Sequence, residues 1–159
     1  MLVELVIITL GWTFNPTYPV FHLQVIWAFG ISMIILSAII HMKRLYILLT
    51  AVLLIAAHNF LDKVHVPGNG IATFLWSLLH DPADFVVGRF TIFVRYPVLP
   101  WIGIIAMGYY FGGLYNPEYD LIKRKKKLLY TGVGLIALFI ILRSFNFYGD
   151  AAQWSMQKD

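Results

Sequence analysis

The chain has 159 residues, of which 60% are hydrophobic and 13% charged, with a mean hydropathy of +0.75. A soluble domain uses about half apolar and about a quarter charged residues, so this composition excludes that class and describes an integral membrane protein. The absence of cysteine removes disulfides and thiolate metal sites, and much of the +4 net charge lies in one run, Lys123 to Lys127, whose place between apolar segments makes it a topology signal rather than a nucleic-acid surface.

The first residues, Met1-Leu2-Val3-Glu4-Leu5, lack the basic region and cleavage site of a signal peptide. Residues 2–13 supply about 12 helical positions, short of the roughly 20 that cross hydrocarbon, so they read as part of a longer helix or as an interfacial one. Residues 21–40 are long enough to span. The tight basic hairpin His41-Met42-Lys43-Arg44 leads to a second span over 45–61, at the lower limit of length. Residues 97–115 and 128–147 predict two more spans, joined by a linker that carries the lysine run. The expected fold is all-α: a polytopic helical membrane protein with about five membrane segments in a single domain over 1–159.

Between the second and third of these spans lies a connection too long to be idle. Within it Ile71, Phe74, Leu75, Leu78 and Leu79 recur at helical spacing, which predicts an amphipathic helix lying on the outer membrane surface and stopped by Asp81-Pro82. The β-branched and aromatic stretch from Arg89 to Tyr96 predicts an extended segment. Antiparallel threading puts loops 41–44 and 116–127 on one face, and their basic character assigns that face to the cytoplasm. Residues 62–96 and the C-terminal tail then lie outside.

Ala57-His58-Asn59-Phe60-Leu61-Asp62 ends an apolar run in ionisable and amide groups, which are costly at the edge of hydrocarbon and are functional candidates. On a helix, His58 and Asp62 share a face four residues apart, so the carboxylate could orient the imidazole as a general base. The competing reading is a helix end that meets water. Gln24, His80, Asp81, Arg95, Tyr96, Arg143, Asn146, Tyr148 and Asp150 fall at the same outer level. Arg143 has a simpler explanation in snorkelling outward from its span. Haem is not expected, because no two histidines share mid-membrane depth. A metal on His58, Asp62 and His80 is not expected either, since their spacing matches no ligand pattern. Gly108 and Gly112 form a GxxxG, read first as packing within the chain.

Four stretches in order carry a resemblance: residues 23–33 (LQVIWAFGISM), 57–62 (AHNFLD), 96–103 (YPVLPWIG) and 142–150 (LRSFNFYGD). Together they resemble the heparan-alpha-glucosaminide N-acetyltransferase-like membrane family. The resemblance implies an acyltransferase that takes an acetyl group from acetyl-CoA on the cytoplasmic side and delivers it to a sugar amine or hydroxyl outside. It implies that this chain corresponds to the central part of the family's domain, with the usual catalytic histidine on helices before Met1. Within this chain His58 and Asp62 are the expected catalytic candidates by their spacing, not by the resemblance. Asn59, Arg95, Tyr96, Trp101, Arg143, Asn146 and Asp150 are the expected carbohydrate-binding ones, since aromatic faces stack on sugars while amides and charges read hydroxyls. The basic linker suits CoA phosphates. The alternative is a non-catalytic helical membrane subunit or truncated remnant that packs with partner helices, or with a second copy, through its Gly-rich fourth segment.

Overall fold

The computed structural model describes residues 3–14, 17 and 20–145. The chain divides into two compact units, Met1–Tyr110 and Phe111–Asp159.

In the first unit a wide π-helical turn, Glu4–Ile8, continues into α1, Thr9–Thr13, which closes at Phe14 in the left-handed conformation (φ 50°). Strand β1, Val20–Leu23, then leads into α2, Val25–Ile39. A short turn through Met42 and Lys43 reverses the chain into α3, Arg44–Ala57, whose last turn tightens into a 3₁₀ turn, His58–Leu61. Helix α4, Ile71–Leu79, precedes the hairpin of β2, Asp84–Val87, and β3, Phe90–Val94. The two-residue loop of that hairpin places Gly88 at φ +60°, a conformation that glycine adopts without steric cost. Helix α5, Val98–Gly112, carries Pro100 in its first turn, where a backbone N–H has no partner in any case.

Three helices, Arg44–Leu61, Val98–Tyr115 and Leu121–Phe145, are long and apolar enough to cross a membrane, whereas α2 is a shorter apolar helix. The expected span over 21–40 is thus cut back at its start, and the reason is pairing. Val20, Phe21 and Leu23 are β-branched, aromatic and aliphatic, and the segment lies in parallel register with β3, Val20 opposite Thr91 through Leu23 opposite Val94. The remaining 15 helical residues extend about 22 Å, against about 30 Å of hydrocarbon. The all-α expectation is corrected accordingly: the protein is mostly helical and also holds a three-stranded sheet in the order β1-β3-β2, with β2 antiparallel to β3.

The core of the first unit is built where α2, α3 and α5 meet, through Ile39, Ile47, Ala51, Val98, Ile102 and Ala106. Gly103 lets α5 approach α3 closely, since a Cβ there would lie 2.9 Å from Ile55 and 3.0 Å from the Ala51 carbonyl oxygen. Gly108 behaves differently, with nothing within 4 Å of a Cβ built on it. Close packing within the unit therefore falls to Gly103 and not to the GxxxG.

A second apolar cluster joins the sheet to α4: Leu23, Phe85 and Val94 are buried against Phe74 and Leu78. The amphipathic helix expected over 71–79 forms, with two apolar edges. Phe74 and Leu78 cover the sheet, while Ile71, Leu75 and Leu79, four residues apart, are exposed. Sheet and α4 together cap one end of the three helices. The parallel β1–β3 pairing, extended by the Arg95 N–H bond to the Leu23 carbonyl (3.1 Å), ties the starts of α2 and α5 side by side. At the opposite end, the Arg44 guanidinium donates to the Tyr110 carbonyl (3.1 Å), so the basic turn lies away from the cap.

In the second unit α6, Leu121–Phe145, begins seven residues before the span expected at 128. The Asp120 carboxylate accepts from the Lys123 N–H at 2.7 Å and so starts the helix, which makes the lysine run helical rather than a loop. Arg124 lies over the Tyr115 ring, 5.1 Å from its centroid.

Candidate functional site

The end of α3 carries His58, Asn59 and Asp62 into the cap. An α-helix would place residue i+4 about 40° around from residue i. The 3₁₀ turn that begins at His58 widens that offset to about 120°, which swings Asp62 off the histidine's face. The expected His58–Asp62 pairing therefore does not form. Asp62 Oδ1 instead lies 3.0 Å from His80 Nε2, at the end of α4. The His58 Nδ1 is taken by the Ile55 carbonyl at 2.8 Å, one turn back on its own helix. The two imidazoles are still neighbours, with ring centroids 6.2 Å apart in an edge-to-face arrangement.

His80 is 8% exposed, and its Nδ1 is buried without a hydrogen-bond partner. The Trp76 ring lies 5.6 Å from the His80 ring, and its indole N–H donates to the Val64 carbonyl (2.8 Å). His65 Nδ1 meets Asp81 Oδ2 at 2.8 Å. The connection from α3 is thus clipped to α4 and its C-terminal end at four places, the fourth being the Thr73 hydroxyl donating to the Pro67 carbonyl at 3.4 Å.

The other expected binding residues divide. Arg95 makes a two-pronged pair with Asp84 (3.0 and 3.1 Å) and lies over the Phe93 ring. Tyr96 and Trp101 are ring neighbours (5.9 Å), and Trp101 meets Phe29 of α2 edge-on at 5.0 Å. These aromatics stand where α2 and α5 begin, at the same capped end as His58. Asn59 is half-buried in the 3₁₀ turn. Arg143 is exposed on α6, in the second unit. Asn146, Tyr148 and Asp150 lie outside the described residues. Among the described residues no group of three His, Asp or Glu side chains could hold a metal ion.

Sequence reasoning named His80 without its partner and missed Asp84. His80-Asp81-Pro82, directly after an amphipathic stretch, was the available signal for the first. For Asp84, the hairpin register with Asp84 opposite Phe93 brings it beside Arg95, and that register is not visible in composition.

Helices long and apolar enough to cross a membrane define an integral membrane protein, and an imidazole–carboxylate contact and aromatic rings gather at the capped end of the first unit's helices. Residues 1–147 match the family model described as heparan-alpha-glucosaminide N-acetyltransferase, catalytic, and the chain belongs to that family. Comparison with curated proteins gave no match, and comparison with solved structures gave none. Membership makes its function of the membrane acetyltransferase type.

Proposed function

We propose that the protein moves an acetyl group from acetyl-CoA, on the cytoplasmic side, to the amine or hydroxyl of a sugar on the other side. The observation that carries this reading is the Asp62–His80 contact beside the His58 ring, a carboxylate and two imidazoles held at the end of apolar helices in a family of acetyltransferases. Transfer needs a group that removes a proton from the attacking amine or hydroxyl while acceptor and thioester are held in line. Within this chain His58 and Asp62 are the candidates for that chemistry. Asn59, Arg95, Tyr96 and Trp101 form the carbohydrate-binding rim of the first unit, and the family resemblance keeps Arg143, Asn146 and Asp150 as further sugar-binding candidates.

In this reading the capped end faces outward. The turn at 41–44 and the lysines of α6 face the cytoplasm, and α2 and the N-terminal helical stretch add membrane segments to the three long helices. Five consecutive helical positions turn through about 400°, so Lys123 to Lys127 form a collar around α6. Only the positions that share a face, such as Lys123 and Lys127, can meet the CoA phosphates together.

A second reading, a helical membrane subunit without catalysis, draws on Gly108, whose open face would admit a partner helix or a second copy. Binding of acetyl-CoA to the purified, detergent-solubilised protein, followed by transfer to glucosamine, separates the two. Saturable binding with release of free CoA supports the enzyme, whereas neither binding nor transfer favours the subunit.

A further inference from the structure

We propose that one face of the lysine run on α6 binds an anionic phospholipid, with the Lys125 and Lys126 ammonium groups on its phosphate and Leu121, Ile122 and Leu129 against its apolar parts. Successive helical positions turn by about 100°, which divides the run in two. Leu121, Lys125, Leu129, Ile122 and Lys126 fall within an arc of about 140° and line one shallow groove, whereas Lys123, Lys127 and Arg124 occupy the other side of the helix. The five groove residues are exposed, and among the described residues neither ammonium in the groove meets a carboxylate. Two like charges with no internal counter-ion attract an anion.

The length of α6 sets the depth of that anion. Its 25 residues extend about 37 Å, against about 30 Å of hydrocarbon, and its uncharged stretch begins at Leu128. With that stretch in the hydrocarbon, the first two turns stand among the headgroups, where the long lysine stems bring their ammonium groups to phosphate. CoA also carries phosphates, and the neighbouring side chains separate the two sources. Leu121 and Ile122 are 67% exposed on the water side of the two lysines, and Leu129 is 59% exposed on the hydrocarbon side. Aliphatic surface is costly in water, whereas lipid covers it in the interfacial layer. A polar nucleotide on the same two lysines leaves that surface bare. The inference does not depend on acetyl transfer.

The test titrates phosphatidylglycerol onto the full protein in a neutral detergent, with phosphatidylcholine as the control of no net charge. Native mass spectrometry reads both the bound lipid and the oligomeric mass. Lys125→Gln with Lys126→Gln, and Lys123→Gln with Lys127→Gln, remove equal charge from opposite faces and keep helix propensity. A cation near a membrane surface contributes about 1 kcal/mol, about fivefold in affinity, so the first pair is expected to weaken phosphatidylglycerol binding about 5- to 30-fold and the second less than about fivefold. Phosphatidylcholine binding should be the same in all three proteins. Glycerol phosphate, the same anion without chains, should compete poorly, and competition equal to that of the lipid would reduce the site to a phosphate site and overturn the proposal. Equal weakening by the two pairs, or no preference for phosphatidylglycerol in the unaltered protein, overturns it as well. So does displacement of the lipid by CoA, which would give the face to the acetyl donor. Intact phosphatidylglycerol binding in the first pair also overturns it, and an accompanying change in oligomeric mass would give the face to a second copy.

Discussion

Asp62 and His80, 18 residues apart in sequence, meet at 3.0 Å between carboxylate Oδ1 and imidazole Nε2 and join the end of α3 to the end of α4. The contact is lopsided in its surroundings, with the histidine side chain 6% exposed and the aspartate 39%. Removing the carboxylate therefore strands a buried N–H. Asp62→Ala is expected to destabilise the protein by about 1–3 kcal/mol, the cost of an unsatisfied buried polar group, read as a lower unfolding midpoint in detergent. An unchanged midpoint would mean that the contact does not hold the cap.

Gly103 and Gly108 lie on one helix in opposite circumstances. A methyl group at Gly103 meets α3 at about van der Waals overlap, whereas one at Gly108 meets nothing. Gly103→Ala is expected to cost about 1–3 kcal/mol as α5 and α3 are forced apart, and Gly108→Ala to be neutral or slightly stabilising through better helix propensity. Thermal unfolding of the two variants side by side checks this, and a cost at Gly108 alone would point to a partner helix instead.

How much of this was legible in the sequence varies with the distance over which each feature is decided. Residues 45–61 and 97–115 announce their helices locally, because an apolar run needs no partner to be recognised. The stripe Ile71, Phe74, Leu75, Leu78 and Leu79 likewise predicts α4 from spacing alone. Strand β1 was hidden, since Phe21 and Leu23 extend the apolar run of α2 and their partners on β3 lie about 70 residues ahead. The His58–Asp62 pairing misled for a subtler reason. Four residues share a face only while the helix keeps 3.6 residues per turn, and here it tightens at His58 itself.

Trp101 links Tyr96 to Phe29 at the start of α5. In the carbohydrate-binding role proposed for it, Trp101→Ala loses a stacking surface. Aromatic contacts of this kind contribute about 0.5–1.5 kcal/mol, so the KM for the sugar acceptor should rise about 2- to 13-fold while that for acetyl-CoA stays constant. An equal rise for both would show a general loss of structure.

The absence of cysteine makes sidedness measurable, because any introduced thiol is the sole one. Lys43→Cys and Lys125→Cys are expected to be labelled by an impermeant maleimide only from the cytoplasmic face, and Asn69→Cys only from the opposite face. Labelling of Lys43→Cys and Asn69→Cys from the same side would contradict the proposed threading.

Acetyl transfer across a membrane tests the central claim most directly. The protein is reconstituted in sealed vesicles with the face bearing Lys43 inward, radiolabelled acetyl-CoA is enclosed, and glucosamine is supplied outside. Labelled N-acetylated sugar should accumulate in the external medium. An intact, correctly oriented preparation that binds no acetyl-CoA and yields no labelled sugar would contradict the claim.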